Sequence, residues 1–319
     1  MANQDKKEKT KKTKTKTNGS RQTRKERREI VRILNPISKE DILADWTALC
    51  ALTKQEIKDA TSSVHIGNKV VDYFTYEERL FTKANQNIDF YTFWRNRKEN
   101  RKIKYIQNML KFYESRDIAD IRKWKYIYNL YVSSVSIFRP IVAMEIYDKV
   151  NAKRVLDFTM GWGGRLVGAC ARNLEAYYGV DLNTHLEIHY RHLVTFLKEL
   201  PVTTDIELHF KDALLVDYSK MDYDTVMTSP PYYNIEVYRN QPLKTKPQWN
   251  EEFYKPILEK TWASLKVGGH YCLNVPLEVY ENACIPVFGK CHMKMILKKR
   301  QRSKTNKYVE YIYIWKKAK

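Results

Sequence analysis

Hydrophobic and polar positions change their spacing twice along this 319-residue chain. The opening stretch KKEKTKKTKTKTNGSRQTRKERR offers no apolar residue to bury, which predicts a disordered basic tail over residues 1–29. From Ile30 to Ser134 apolar and aromatic residues recur at helical spacing, and a helical subdomain is expected over 30–134. Ser38-x-x-Asp41 and Thr53-x-x-Glu56 read as helix starts, because the hydroxyl can cap orphan amides while the acid sits in the first turn. A long helix is predicted over Phe90–Tyr113, with Ile103, Ile106, Met109, Leu110 and Tyr113 on one face. Arg95, Arg97, Lys98, Arg101, Lys102 and Lys104 lie on the other.

After Arg139 the pattern alternates between helical and β-branched segments, giving a third unit over 135–319. A helix is expected at Pro140–Lys149 and another at Arg165–Arg172. Strands are expected at Arg154–Phe158, Ala176–Val180, Thr225–Thr228, His270–Val275, Met293–Lys299 and Val309–Trp315, with one more ending at Lys211-Asp212-Ala213. Strands separated by helical stretches imply βαβ units and an α/β fold around a parallel sheet. The last two strands are joined by a short polar loop and can close the sheet as an antiparallel hairpin.

Charge sharpens this picture. The formal net charge is +20, and residues 1–28 hold twelve Lys or Arg against three acids, so +9 lies in the tail. Such a balance suits a polyanionic partner, since each neutralised phosphate releases counterions. The tail itself reads equally as a nucleic-acid arm, a nuclear address or neither. Cys50, Cys170, Cys272, Cys284 and Cys291 are scattered, without a CxxC pair or metal-ligand spacing, which fits reduced thiols in an intracellular protein and no metal site. No apolar run approaches the ~20 residues of a membrane span, and no signal-peptide pattern opens the chain. Oligomeric state is left open.

The strand Arg154–Phe158 runs into Thr-Met-Gly161-Trp-Gly163-Gly164, a turn whose glycines allow close backbone approach to a ligand. Twenty residues beyond Gly161, a second strand ends at Asp181, where a carboxylate can accept from both ribose hydroxyls of a nucleoside. Asp212, at the end of the next, could accept from an adenine amino group. The third glycine of a GxGxxG pyrophosphate turn is missing, which argues softly against a nicotinamide site.

From about Phe138 onward, this ordered set resembles the class I S-adenosylmethionine-dependent methyltransferases. The resemblance implies a Rossmann-like seven-stranded, mostly parallel sheet with a C-terminal antiparallel hairpin. It implies S-adenosylmethionine as cofactor and Asp157, Gly161, Gly163, Asp181 and Asp212 as the residues around it. Phe138–Met144 looks like the helix that touches the methionine carboxylate.

Thr228-Ser229-Pro230-Pro231-Tyr232 follows the strand at 224–227. An exocyclic base amine is a poor nucleophile because its lone pair is conjugated into the ring. A side-chain acceptor and a fixed backbone carbonyl, here Ser229 and Pro230, can grip its hydrogens and aim the lone pair. Two prolines preset the carbonyl direction, and Tyr232 offers a face on which an extruded base can stack. The motif resembles the D/N/S-P-P-Y/F/W signature of DNA amino-methyltransferases. Serine in its first place is similar to the cytosine-N4 enzymes, while adenine N6 stays open. The expected partner is nucleic acid, DNA ahead of RNA. An RNA base methyltransferase and a non-catalytic nucleic-acid-binding protein on the same fold are the alternatives. Tyr233–Trp249, with Tyr238, Arg239, Lys244, Lys246 and Trp249, and the loop Lys298–Lys307, with six basic residues and no acid, are candidates for a strand-tracking groove.

Overall fold

The computed structural model describes residues 24–60, 62–84, 87–133, 135–297 and 309–318. Residues 1–23 of the expected tail and the whole of 298–308 therefore lie outside the described residues, and so does the expectation that the basic loop Lys298–Lys307 tracks phosphates; residues 24–29, expected as the end of a disordered tail, are instead helical.

Seven strands form one sheet: β1 (Arg154–Asp157), β2 (Ala176–Val180), β3 (Asp205–His209), β4 (Thr225–Thr228), β5 (His270–Asn274), β6 (Met293–Ile296) and β7 (Tyr311–Lys316), in the order β3-β2-β1-β4-β5-β7-β6. The first five strands run parallel, while β7 is antiparallel to both β5 and β6. The predicted closing hairpin is present, and β7 inserts between β5 and β6. This is the mostly parallel sheet expected from the strand pattern, in the Rossmann-like form that the resemblance implied. β2 and β4 are buried along their whole length, as central parallel strands covered on both faces must be.

The helical region holds α1 (Arg24–Leu34), α2 (Lys39–Ala51), α3 (Lys54–Asp59), α4 (Asn68–Arg79), α5 (Phe90–Arg95), α6 (Arg97–Asn100), α7 (Lys104–Glu114) and α8 (Asp120–Tyr131). Ser38 and Thr53 both form reciprocal capping boxes, with Asp41 and Glu56 respectively. The helix expected over Phe90–Tyr113 is instead three short ones. At the breaks, the Asn100 Nδ2 donates to the Phe93 carbonyl and Arg97 donates to the Trp94 carbonyl, so side chains take acceptors that a continuous helix would use.

The helical region is divided between two cores. Ile42, Trp46, Leu49, Ile57, Val70 and Val71 from α2–α4 pack with α9 (Pro140–Val150) and α10 (Gly164–Ala171) against the sheet. A second core centres on Phe90, Phe93, Trp124, Ile127 and Tyr128 and joins α1, α5, α7 and α8. α9 meets α10 closely because Gly164 and Gly168 lack side chains. A Cβ at Gly164 would lie 1.8 Å from the Phe138 carbonyl oxygen.

Candidate active site

A cleft of about 1060 Å³ opens at the carboxyl ends of the strands, where β1 and β4 diverge to opposite halves of the sheet. Ligands of open α/β sheets bind at this switch point. Gly161, Asp181, Asp212 and Ser229–Tyr232 all line it, so residues 71 positions apart in the chain converge on one cavity.

Asp181 follows β2. Its two oxygens accept backbone N–H groups from Gly161 and Asn183, each at 2.8 Å. The carboxylate thereby holds the glycine turn while facing the cleft. Burial outweighs these two bonds and pushes its pKa up to about 6. Asp212 accepts the Leu214 N–H at 2.9 Å in a tight turn after β3. Phe158, Leu182 and Leu214 add apolar wall beside the two acids.

Two residues of the expected cofactor set do not line the cleft. Gly163, at φ 91°, packs behind the turn against Leu193 and Tyr190. Asp157 is 0% exposed and lies beneath the cleft floor. Its oxygens accept from Arg165 Nε at 2.7 Å and Nη2 at 3.2 Å, Tyr177 Oη at 2.6 Å and Thr228 Oγ1 at 2.7 Å, which fills its four acceptor sites. A carboxylate so engaged has no capacity left for a ligand, and its place in the cofactor set is corrected to a support. Burial works to lower the Arg165 pKa, but the charge and hydrogen bonds of Asp157, with the nearby Tyr177 and Tyr147, together outweigh it and raise it.

Ser229 is anchored by a residue that sequence spacing did not reveal. Its hydroxyl donates to Asn274 Oδ1 at 3.1 Å, and the Tyr232 hydroxyl donates to the same oxygen at 2.6 Å. Asn274, the last residue of β5 and 2% exposed, fixes its own amide by donating to the Tyr311 carbonyl at 3.1 Å. Pro231 is held through its carbonyl, which accepts from Tyr254. No local pattern marks Asn274; only the pairing of β4, β5 and β7 brings it to the motif.

The segment after the motif is a structural strap. Tyr233 turns the chain at φ 54°, and Lys83 and Val237 then exchange both backbone hydrogen bonds. Arg239 pairs with Glu78 at 3.1 Å and lies over the Phe81 ring, while Lys244 pairs with Glu252 and Lys246 with Glu278. Trp249 is buried and donates to Asn234. The three basic residues of this segment expected to track a strand are thus each paired with a carboxylate of the protein, and the strap joins the helical region to the sheet. Among the described residues, no group of His, Cys, Asp and Glu is arranged to hold a metal ion, and no helix is long and apolar enough to cross a membrane.

No family model matches the chain. Over 81 residues it is 37% identical to the type II methyltransferase M.MjaVI of Methanocaldococcus jannaschii, covering 24% of this chain. The chain spans only 40% of that relative's length. Similar solved structures include TrmN from Thermus thermophilus, with TM-score 0.42 and 17% identity over 56% of this chain and 48% of that one. Another is an RNA methyltransferase from Salinibacter ruber in complex with S-adenosyl-L-homocysteine, with TM-score 0.36 and 14% identity over 57% and 92%. At such scores they carry no argument, and the fold assignment rests on the sheet order itself.

Proposed function

We propose that the chain is an S-adenosylmethionine-dependent methyltransferase acting on an exocyclic amino group of a nucleic-acid base, in DNA, with cytosine N4 ahead of adenine N6. The observation that carries this reading is the state of Ser229. Its proton is committed to Asn274, so what it offers the cleft is oxygen lone pairs. An acceptor at that place suits an amine whose hydrogens must be gripped and whose lone pair must be turned out of conjugation.

The residues present fit the cofactor. Asp181 would take the ribose hydroxyls, Asp212 the adenine amine, and the Gly161 turn would run beside the methionine portion, with apolar wall supplied by Phe158, Leu182 and Leu214. The cofactor, when bound, supplies a methyl group on a sulfonium, ready for direct transfer. The protein's own contribution is positioning. Asn274 orients Ser229 and Tyr232 together, Tyr254 clamps the second proline, and the buried Asp157 network ties the glycine turn to the motif. The segment shared with the archaeal type II methyltransferase supports the same reaction class. The first residue of Ser-Pro-Pro-Tyr favours cytosine N4.

Methyl transfer from labelled cofactor to DNA and to RNA, followed by nucleoside mass spectrometry, tests this. N4-methylcytosine or N6-methyladenine in DNA is expected. Label in RNA alone would overturn the polymer, and label in neither, with cofactor bound, would overturn the reading.

A further inference from the structure

Far from the catalytic motif in sequence, a second cavity of about 220 Å³ lies in the helical region. Its charged lining is Asp72 and Arg79 from α4 with Arg122 and Lys125 from α8, three cations against one carboxylate. Leu34 of α1 and Val135 complete part of the wall. Asp72 pairs with Arg79, which leaves an excess of two positive charges.

This cation cluster is not an exposed basic face. Arg79 is only 9% exposed, and its Nε has no hydrogen-bond partner. The same holds for Asn129 Oδ1, on the α8 wall. Buried polar atoms of this kind are costly to leave without a partner, so both are open to a bound ligand. An amide reorients readily, so Asn129 can present either its oxygen or its nitrogen. The Lys125 ammonium is boxed between the rings of Phe90 and Tyr128, 5.0 and 4.7 Å from their centroids.

We propose that this cavity is a binding site for a dianionic phosphate group, either free phosphate or a terminal monoester. Charge selects the class. An excess of two cations matches the roughly −1.5 to −2 of a monoester better than the single charge of a diester. Geometry agrees, since guanidinium forks bind phosphate oxygens bidentately. The volume holds a phosphate group with a few waters, each needing roughly 30 Å³. Burial and the neighbouring Arg79 charge hold the Lys125 pKa down at about 7, and Asp72, Tyr76, Arg122 and Tyr126 are the other titratable or charged groups of the wall. An anion beside it would restore the charged form. The proposal does not depend on the methyltransferase reading, because no residue of the cleft takes part.

Two sources could supply such a group, a free phosphate or the terminal phosphate of a nucleic-acid strand. Calorimetry on the full chain separates them, using inorganic phosphate, dimethyl phosphate, and one short oligonucleotide with either a 5′-phosphate or a 5′-hydroxyl. Saturable binding of inorganic phosphate is expected, with dimethyl phosphate at least about tenfold weaker. A 5′-phosphate that strengthens oligonucleotide binding would identify a strand end as the source; equal binding of both oligonucleotides would identify free phosphate. Lys125→Met keeps the packed stem and Arg122→Gln changes a residue that is not fully buried. Each should weaken phosphate binding by about tenfold while the thermal melt stays cooperative. Two results would overturn the site: no saturable binding of inorganic phosphate together with equal binding of the two oligonucleotides, or folded variants that bind as the wild type does.

Discussion

Asp181 couples the electrostatics of the cleft to ligand recognition. With its pKa raised from the ordinary 3.8 to about 6, the folded chain keeps a proton that the unfolded chain has lost between those values. Its contribution to stability is therefore present at low pH and is lost as pH rises from 3.8 through about 6. Cofactor binding runs the other way, since ribose hydroxyls need the carboxylate as acceptor. Cofactor affinity, measured by calorimetry, should be flat above about pH 7 and fall below about pH 6. Asp181→Asn should bind more weakly and lose most of that dependence. At Asn274 the expected effect is on rate. Asn274→Ala frees Ser229 and Tyr232 and should lower kcat by about 10²-fold with cofactor affinity nearly unchanged. Asn274→Asp, which keeps an acceptor, should recover part of the rate; no recovery would mean that the residue only fills space.

β1 and β4 are joined at their ends by more than backbone pairing. Asp157 on β1 accepts from Thr228 on β4, Thr228 meets Thr159 at 2.6 Å, and Arg165 of α10 closes the cluster. Asp157→Asn should lower the free energy of unfolding by about 3–5 kcal/mol, because a guanidinium 4% exposed would lose its charged partner. Urea denaturation would measure it. Much of this level was legible in the sequence: the capping boxes at Ser38 and Thr53, the strands ending at Val180 and Thr228, and the helix from Pro140 all follow from local chemistry. Where Asp157 points was not, because a strand-end acid looks the same whether it faces a ligand or a buried arginine. The division of Phe90–Tyr113 was hidden for a related reason. Helical spacing persists through 90–113, and apolar periodicity does not register that Asn100 and Arg97 capture the carbonyls of Phe93 and Trp94. Asn274 had no local signal at all, since its partners come from β4 and β7.

At the scale of the molecule, positive charge is spread unevenly. Residues 1–23 hold eight Lys or Arg and two acids, whereas the basic residues of the strap are already paired. Removing residues 1–23 should flatten the dependence of nucleic-acid affinity on salt, by several units of logarithmic slope if the tail contacts the strand along its length. Methyl transfer at saturating acceptor should persist. Binding at several ionic strengths, with full and shortened chains, would check both expectations.

The two hydrogen bonds between Lys83 and Val237 make the helical region a shareholder in the motion of the cleft wall. Neither amide can meet solvent deuterons until the strap lifts, and lifting also separates Arg239 from Glu78 and from the ring of Phe81. The amides of Lys83 and Val237, 154 positions apart, should therefore exchange at one common opening free energy. Arg239→Ala should speed both together, so one residue sets how often that side of the cleft breathes.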